Sequence, residues 1–402
     1  MDDLAHDLPP PRLGERALFS DLEADVYLNH AAVSPPSLRV RRAIRACAGD
    51  YGRRGLGGYF AWADQRVRLR QELARLIGAR AEDIALTSGT SAGIMAIALS
   101  FPWRRGDRVL LFTGEFPANT TSWQRAAELF GLEIVWVPVA AFLRDLGEGL
   151  EAFDAALARG PVRLVAVSAV QFRSGLRMPL AALAGRCRAR GAELFVDAVQ
   201  AAGVAPLDVV ADDIDYLAGG AHKWLMGMEG AGYLYVRPDR VAALSPATAG
   251  WLSHEEPIRF LVEGSGHLRY DRPLRRRADV FEGGGLNALG HAALGASLSA
   301  ITTIGRAAIF DHVQAYHDAL EPALLDRGLQ SLRAADPDAR SGILSVAAPP
   351  GRDIIGLHRA LTHRGIACSL PDGVLRFAPH WPNHQDEIPR VLAALDAALA
   401  ET

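Results

Sequence analysis

Lysine is almost absent from this 402-residue chain: of its 43 lysines and arginines taken together, only Lys223 is a lysine. Arginine stands wherever positive charge alone sufficed. A guanidinium stays charged and non-nucleophilic, whereas an amine can lose its proton and attack a carbonyl to form a Schiff base. A lone lysine is therefore either drift on a solvated face or a residue doing what arginine cannot, and its neighbourhood decides. Cysteine is scarce too: Cys47, Cys187 and Cys368 lie far apart, with no CxxC or His-rich spacing. That argues against a disulfide framework and against a zinc site, and fits a reducing cytosol. No apolar run is long enough to span a bilayer. The acidic start Met1-Asp2-Asp3 is unlike a signal peptide. The expectation is a soluble, cytoplasmic protein. A net charge of −3 gives no reason to expect nucleic acid or an acidic membrane as partner.

What is present is an ordinary globular composition, 50% apolar and 22% charged, long enough for two or three domains. Between about residues 40 and 240, short apolar runs alternate with amphipathic stretches. Strands are expected over 83–86, 108–112, 133–137, 163–168, 193–197 and 233–236, and helices over 66–77, 121–130 and 180–190. Such alternation predicts an α/β fold with a doubly wound, mainly parallel sheet, whose ligands sit at the carboxyl ends of the strands. Residues 246–285, rich in Gly, Pro, His and Arg, break the rhythm as long loops. Helices over 286–305 and 307–327, strands over 343–347 and 374–377, and a helix over 385–399 then suggest a small α+β domain. The expected division is an N-terminal arm (1–30), a large domain (31–280) and a small C-terminal domain (281–402).

Asp197 ends the apolar run Glu193-Leu194-Phe195-Val196-Asp197, which puts an acid at the sheet's carboxyl edge. Taken alone it reads equally as a helix N-cap. Lys223 follows twenty-six residues later, in Gly219-Gly220-Ala221-His222-Lys223-Trp224, which reads as a glycine-bearing loop exposing the lysine. An amine to hold an aldehyde and an acid to keep a ring nitrogen protonated are what pyridoxal 5'-phosphate requires. A third segment, Leu86-Thr87-Ser88-Gly89-Thr90-Ser91-Ala92-Gly93, runs from a strand through a small-residue turn into a helix. Free amides and hydroxyls at such a helix start bind a phosphate dianion.

The order Val196-Asp197-Ala198-Val199-Gln200, Ala221-His222-Lys223-Trp224, Gly230-Ala231-Gly232-Tyr233 closely resembles the class V aminotransferase group of fold-type I pyridoxal-phosphate enzymes. That group includes cysteine desulfurases, selenocysteine lyases, kynureninase and isopenicillin-epimerase-like proteins. The resemblance spans about residues 25–395 and implies a large domain with a mainly parallel sheet plus a small α+β domain. It also implies roles. Lys223 would carry the cofactor, Asp197 would face the ring nitrogen and Gln200 the phenolic oxygen. Thr90, Ser91 and His222 would hold the phosphate, and Phe116 would stack on the ring. Desulfurases have a histidine at Phe116, so that acid–base function is missing here. Gln171 would stand in for an asparagine that bonds the cofactor oxygen, its strand-end match being Phe172. Arg376 would grip the substrate α-carboxylate, and His30 lies in the stretch lining the substrate entrance. Segment 281–287 would reach the phosphate of a neighbouring subunit, implying a homodimer, although Gly285 replaces the usual Thr or Ser.

The reading that follows is a pyridoxal-phosphate enzyme acting on a small amino acid or amine, with aminotransferase leading. The alternative is a lyase, by C–S β-elimination or kynureninase-like C–C hydrolysis. Cysteine desulfuration is disfavoured because Cys368 reads as a buried thiol on a strand, not on a flexible loop. A pyridoxal-phosphate fold that only binds is disfavoured by the intact Lys–Asp–phosphate set. Trp251, His254, His267, Arg269 and Trp381 are candidate rim residues for specificity.

Overall fold

The computed structural model describes residues 7–285 and 287–401. The acidic start Met1-Asp2-Asp3, and Leu286 at the expected helix start and within segment 281–287, lie outside the described residues. Strands run in chain order as β1 (Val26–Tyr27), β2 (Ile84–Thr87), β3 (Arg108–Thr113), β4 (Glu133–Pro138), β5 (Val162–Ser168) and β6 (Glu193–Asp197). They continue as β7 (Tyr216–Gly220), β8 (Gly232–Val236), β9 (Gln330–Ser331), β10 (Leu344–Ala347), β11 (Ile366–Ala367) and β12 (Leu375–Phe377).

Seven strands form one sheet in the order β2-β8-β7-β6-β5-β3-β4. All neighbours are parallel except β8, which is antiparallel to both β7 and β2. Two reversals cancel, so β2 points the same way as β7, and Thr87, Thr113, Ser168, Asp197 and Gly220 all end on one edge. Helices cover both faces, which is why the central strands are apolar throughout rather than alternating with polar residues. Leu194 and Val196 of β6 enter one core and Phe195 the other, as the period of two requires. The expectation of a mainly parallel α/β sheet is met. One strand of this sheet escaped the sequence reading: Gly219 and Gly220, expected in a loop, end β7. Their glycines hid it, since glycine is depleted in strands. Packing explains them, because a Cβ on Gly219 would lie 2.5 Å from the Tyr233 ring.

A third core joins Val26 and Leu28 to Tyr316, Leu320, Leu344, Phe377 and Val391. Here β12-β10-β9 form an antiparallel sheet, and β1 pairs in parallel with β11. The N-terminal segment thus packs with the C-terminal elements. Helices Ala288–Ile304 and Arg306–Leu325 break at Gly305, which has φ +94°. Among the described residues, no single helix is long and apolar enough to cross a membrane.

Glu282 ties the long loop to the sheet. Its buried carboxylate accepts from Arg70 Nε at 2.9 Å and Nη2 at 2.5 Å, and from Leu86 N at 2.8 Å. Residue 282 thereby anchors the strand that leads into the Thr87–Gly93 turn. Removing one partner of a buried pair leaves the other charge uncompensated, at a cost of about 3–5 kcal/mol. Glu282→Ala should lose about 3 kcal/mol in urea unfolding; a variant as stable as the parent would show the anchor to be idle.

Candidate active site

Seven segments meet over the carboxyl edge of the sheet and enclose a cavity of about 780 Å³. Its wall includes Ser88, Gly89, Thr90, Ser91, Phe116, Phe172, Asp197, Gln200, His222, Lys223 and Arg376. Eight of the ten residues singled out from the sequence therefore share one space, and Gln171 and His30 do not. The lysine is not exposed as expected: its turn folds inward after β7, so the amine is partly buried in the cavity wall.

Helix Thr90–Ser100 starts at this edge, after Gly89 with φ +150°. The Thr87 hydroxyl donates to the Gly89 carbonyl at 3.1 Å, which shapes the turn. Close packing demands small residues here. A Cβ on Gly232 would sit 2.6 Å from the Gly89 Cα, and one on Gly220 would sit 2.9 Å from Thr90 Oγ1. Thr90 Oγ1 is buried with no hydrogen-bond partner. An orphaned hydroxyl beside the free amides of a helix start is a site awaiting an anion's oxygens.

Asp197 is 2% exposed and accepts from Val199 N at 2.9 Å. Burial pushes its pKa up to about 7, against the pull of that N–H, with the Glu115 charge adding to the rise. Lys223 Nζ lies 5.3 Å from the centroid of the Phe116 ring. Burial lowers its pKa to about 8, although Asp197 pulls the other way and Arg376 adds to the fall. His222 is lowered by burial and by the Lys223 charge. The two ends of the Gln200 amide are engaged: Nε2 donates to the Ala31 carbonyl at 3.0 Å, and Oε1 accepts from Trp224 Nε1 at 2.8 Å. One amide proton is left over.

Arg376 on β12 donates from Nε to Ser369 Oγ at 3.0 Å and from Nη1 to the Phe172 carbonyl at 2.7 Å. No carboxylate pairs with it among the described residues. Burial lowers its pKa to about 10. A buried, unpaired guanidinium in a cavity wall is a carboxylate receptor by chemistry.

Two expectations find a different place. Gln171 turns its amide to Glu115 Oε1 at 3.1 Å, behind the wall that Phe172 forms. The His30 ring is buried behind Ala31 and Ala32, with Nδ1 2.8 Å from Ser34 Oγ. Of the rim candidates none lines the cavity; Trp381 is 2% exposed and packs on Phe19. Sequence reasoning overlooked Glu115, whose buried carboxylate accepts from the Ser168 amide at 2.7 Å and from the Ser168 hydroxyl. Its only signal was an acid beside the singled-out Phe116. All three thiols are buried, and burial pushes Cys368 to about 12. No group of three potential metal ligands occurs among the described residues.

The residues present fit pyridoxal 5'-phosphate: an orphaned hydroxyl at a helix start, a buried acid, a single amine and an aromatic face share one cavity. Known proteins point the same way. The Aminotransferase class-V profile matches residues 26–373. Isopenicillin N epimerase of Streptomyces clavuligerus is 31% identical over 344 residues, 83% of this chain and 84% of that protein. A cysteine desulfurase of Enterobacter sp. (strain 638) is 30% identical over 298 residues, 73% of this chain and 69% of that protein. The solved structure of a C-DES mutant with glycine covalently linked to the PLP cofactor superposes with a TM-score of 0.85 at 24% identity. That match covers 95% of this chain and 98% of the other.

Two measurements test the electrostatics. In the folded protein Asp197 keeps its proton up to about pH 7, whereas unfolded it ionises from 3.8. The raised pKa therefore opposes folding above pH 7, by up to about 4 kcal/mol, and the penalty fades towards pH 4. Cofactor-free Asp197→Asn should resist urea better than cofactor-free parent at pH 8 and equally at pH 4; equal stability at both would contradict this. An amine with pKa about 8 is about one-tenth neutral at pH 7 and mostly neutral at pH 9. Capture of pyridoxal 5'-phosphate should therefore run about tenfold faster at pH 9, and a flat profile would rule this out.

Proposed function

The chain belongs to the Aminotransferase class-V family, with the fold-type I architecture, and from that premise we propose that it removes the α-proton of a small amino acid and transfers the amino group. One observation carries this reading: Lys223 and the unpaired Arg376 face the same cavity. Pyridoxal 5'-phosphate supplies, when bound, an aldehyde for the amine and a ring that takes up the electrons released at the substrate α-carbon. Thr90, Ser91, His222 and the amides of helix Thr90–Ser100 would hold its phosphate. Asp197 would set a negative charge against the ring nitrogen, and the spare Gln200 proton would meet the phenolic oxygen.

Arg376 orients the substrate by its carboxylate, using the N–H groups that Ser369 and Phe172 leave free. Lys223, whose pKa burial lowers to about 8, takes the α-proton in its neutral form. Phe116 offers a face for stacking and carries no proton. With His222 committed to the phosphate, the lysine alone must both accept and return that proton. Single-base proton transfer of this kind suits transamination, which a 2-oxo acid completes by carrying the amino group away.

The epimerase relative supports a second reading, in which the proton returns to the α-carbon itself with inverted configuration. A lyase would use the same base and then expel a β-substituent. The desulfurase relatives keep persulfide-forming desulfuration open as a further reading; that reaction, unlike β-elimination, needs a reactive enzyme thiol, and no cysteine is among the residues lining this cavity. We further propose a homodimer, to which the loop around Gly284 and Gly285 would contribute backbone at the shared site.

A panel of amino acids in heavy water separates these outcomes. Conversion of the cofactor to its pyridoxamine form is expected. Deuterated, inverted amino acid would replace transamination by epimerisation, and pyruvate, ammonia or sulfur species would replace it by lysis. Arg376→Ala should raise KM about 100-fold, the scale of losing a buried charge partner; an unchanged KM would remove Arg376 from substrate binding.

A further inference from the structure

The lysine-bearing turn is held at three successive carbonyls by groups from distant parts of the chain. Ser34 donates from N to the His222 carbonyl at 2.7 Å and from Oγ to the Lys223 carbonyl at 2.6 Å. His380 Nε2 lies 2.8 Å from the Trp224 carbonyl. The partners settle where the ring protons are. His380 Nδ1 accepts from Trp381 N at 2.7 Å, so the proton sits on Nε2 and goes to Trp224. Ser34 Oγ has one proton and gives it to Lys223, so His30 Nδ1 donates to Ser34. Both rings are buried, burial keeps them neutral, and neither lines the cavity. They are not proton carriers for a substrate.

The two arms converge on the strand that carries the carboxylate receptor. His380 follows Arg376 by four residues. His30 N donates to the Ala378 carbonyl at 3.1 Å, and Ala378 N donates to the Leu28 carbonyl at 2.7 Å. The His30 and His380 rings meet edge to face at 5.4 Å. Short hydrogen bonds, not long loops, therefore join the segment holding the guanidinium to the turn holding the amine.

We propose that His30, Ser34 and His380 form a positioning strap that sets Lys223 relative to Arg376. A substrate gripped by its carboxylate is thereby presented with its α-carbon to the amine. The proposal rests on the reading of Lys223 as base and Arg376 as clamp. Positioning of this kind is felt in the chemical step, where a displacement of about 1 Å costs about 100-fold.

Ser34→Ala removes the hydroxyl and keeps the N–H on His222, His380→Leu removes the donor to Trp224, and His380→Gln restores one. Each variant is assayed for capture of pyridoxal 5'-phosphate and for kcat and KM with the fastest amino acid of the panel. Ser34→Ala and His380→Leu should slow capture about fivefold and lower kcat tenfold or more, with KM within about twofold. His380→Gln should recover most of the loss. Parental capture and kcat in both variants would overturn the strap, as would a raised KM with kcat unchanged or a His380→Gln no better than His380→Leu. Should His380→Leu fail to fold, Ser34→Ala decides alone. A parent chain that captures no cofactor would instead sink the reading of Lys223, and the strap with it.

Discussion

One amine and one acid, withdrawn from water together without pairing, are the constraint around which this structure is built. Asp197 and Lys223 feel each other's charge but make no ion pair among the described residues. A chain selected for stability alone would pair them or replace both with apolar groups, since buried charges are costly. Keeping them apart, with the acid buried and the amine partly so, leaves the acid near pKa 7 and the amine near 8.

The sheet supplies the means. Parallel strands buried on both faces leave few places for polar groups other than the carboxyl edge, and there Ser168 comes level with Asp197, and Thr87, across Gly232, with Gly220. The acid is carried by β6 and the amine by the turn after the neighbouring β7, so both reach the same edge of the sheet. Below them Glu115 organises Ser168 and Gln171, extending the buried polar set away from the cavity. Above them Arg376 reaches over from the small antiparallel sheet. The residues proposed to hold the cofactor thus come from one sheet and the proposed substrate clamp from another, and the bonds through Ser34 and His380 link the two.

Much of this was legible beforehand. Six strands of the large sheet follow from apolar runs bounded by turn residues, and Lys223 stood out because its chemistry is not interchangeable with that of arginine. The expectations that found a different place share a cause. The glycines of β7 look like a loop until Tyr233 is seen packed against Gly219 and Thr90 against Gly220. Gln171 looks available until Glu115 appears beside it. His30 looks like an entrance residue until β1 pairs with β11 and turns the ring inward. In each case a partner far along the chain decides, and pattern within a segment carries no information about it.

By itself the sequence determined the α/β class, the sole nucleophilic amine, the acid at a strand end and the small-residue turn before a helix, because these are local properties of composition and period. Only the tertiary structure decided that Arg376 is unpaired, that Glu115 lies beneath the site and that His30 and His380 brace the lysine turn. Burial, pKa and hydrogen-bond partnership are set by contacts between residues up to hundreds of positions apart, and those distances exist only once the chain has folded.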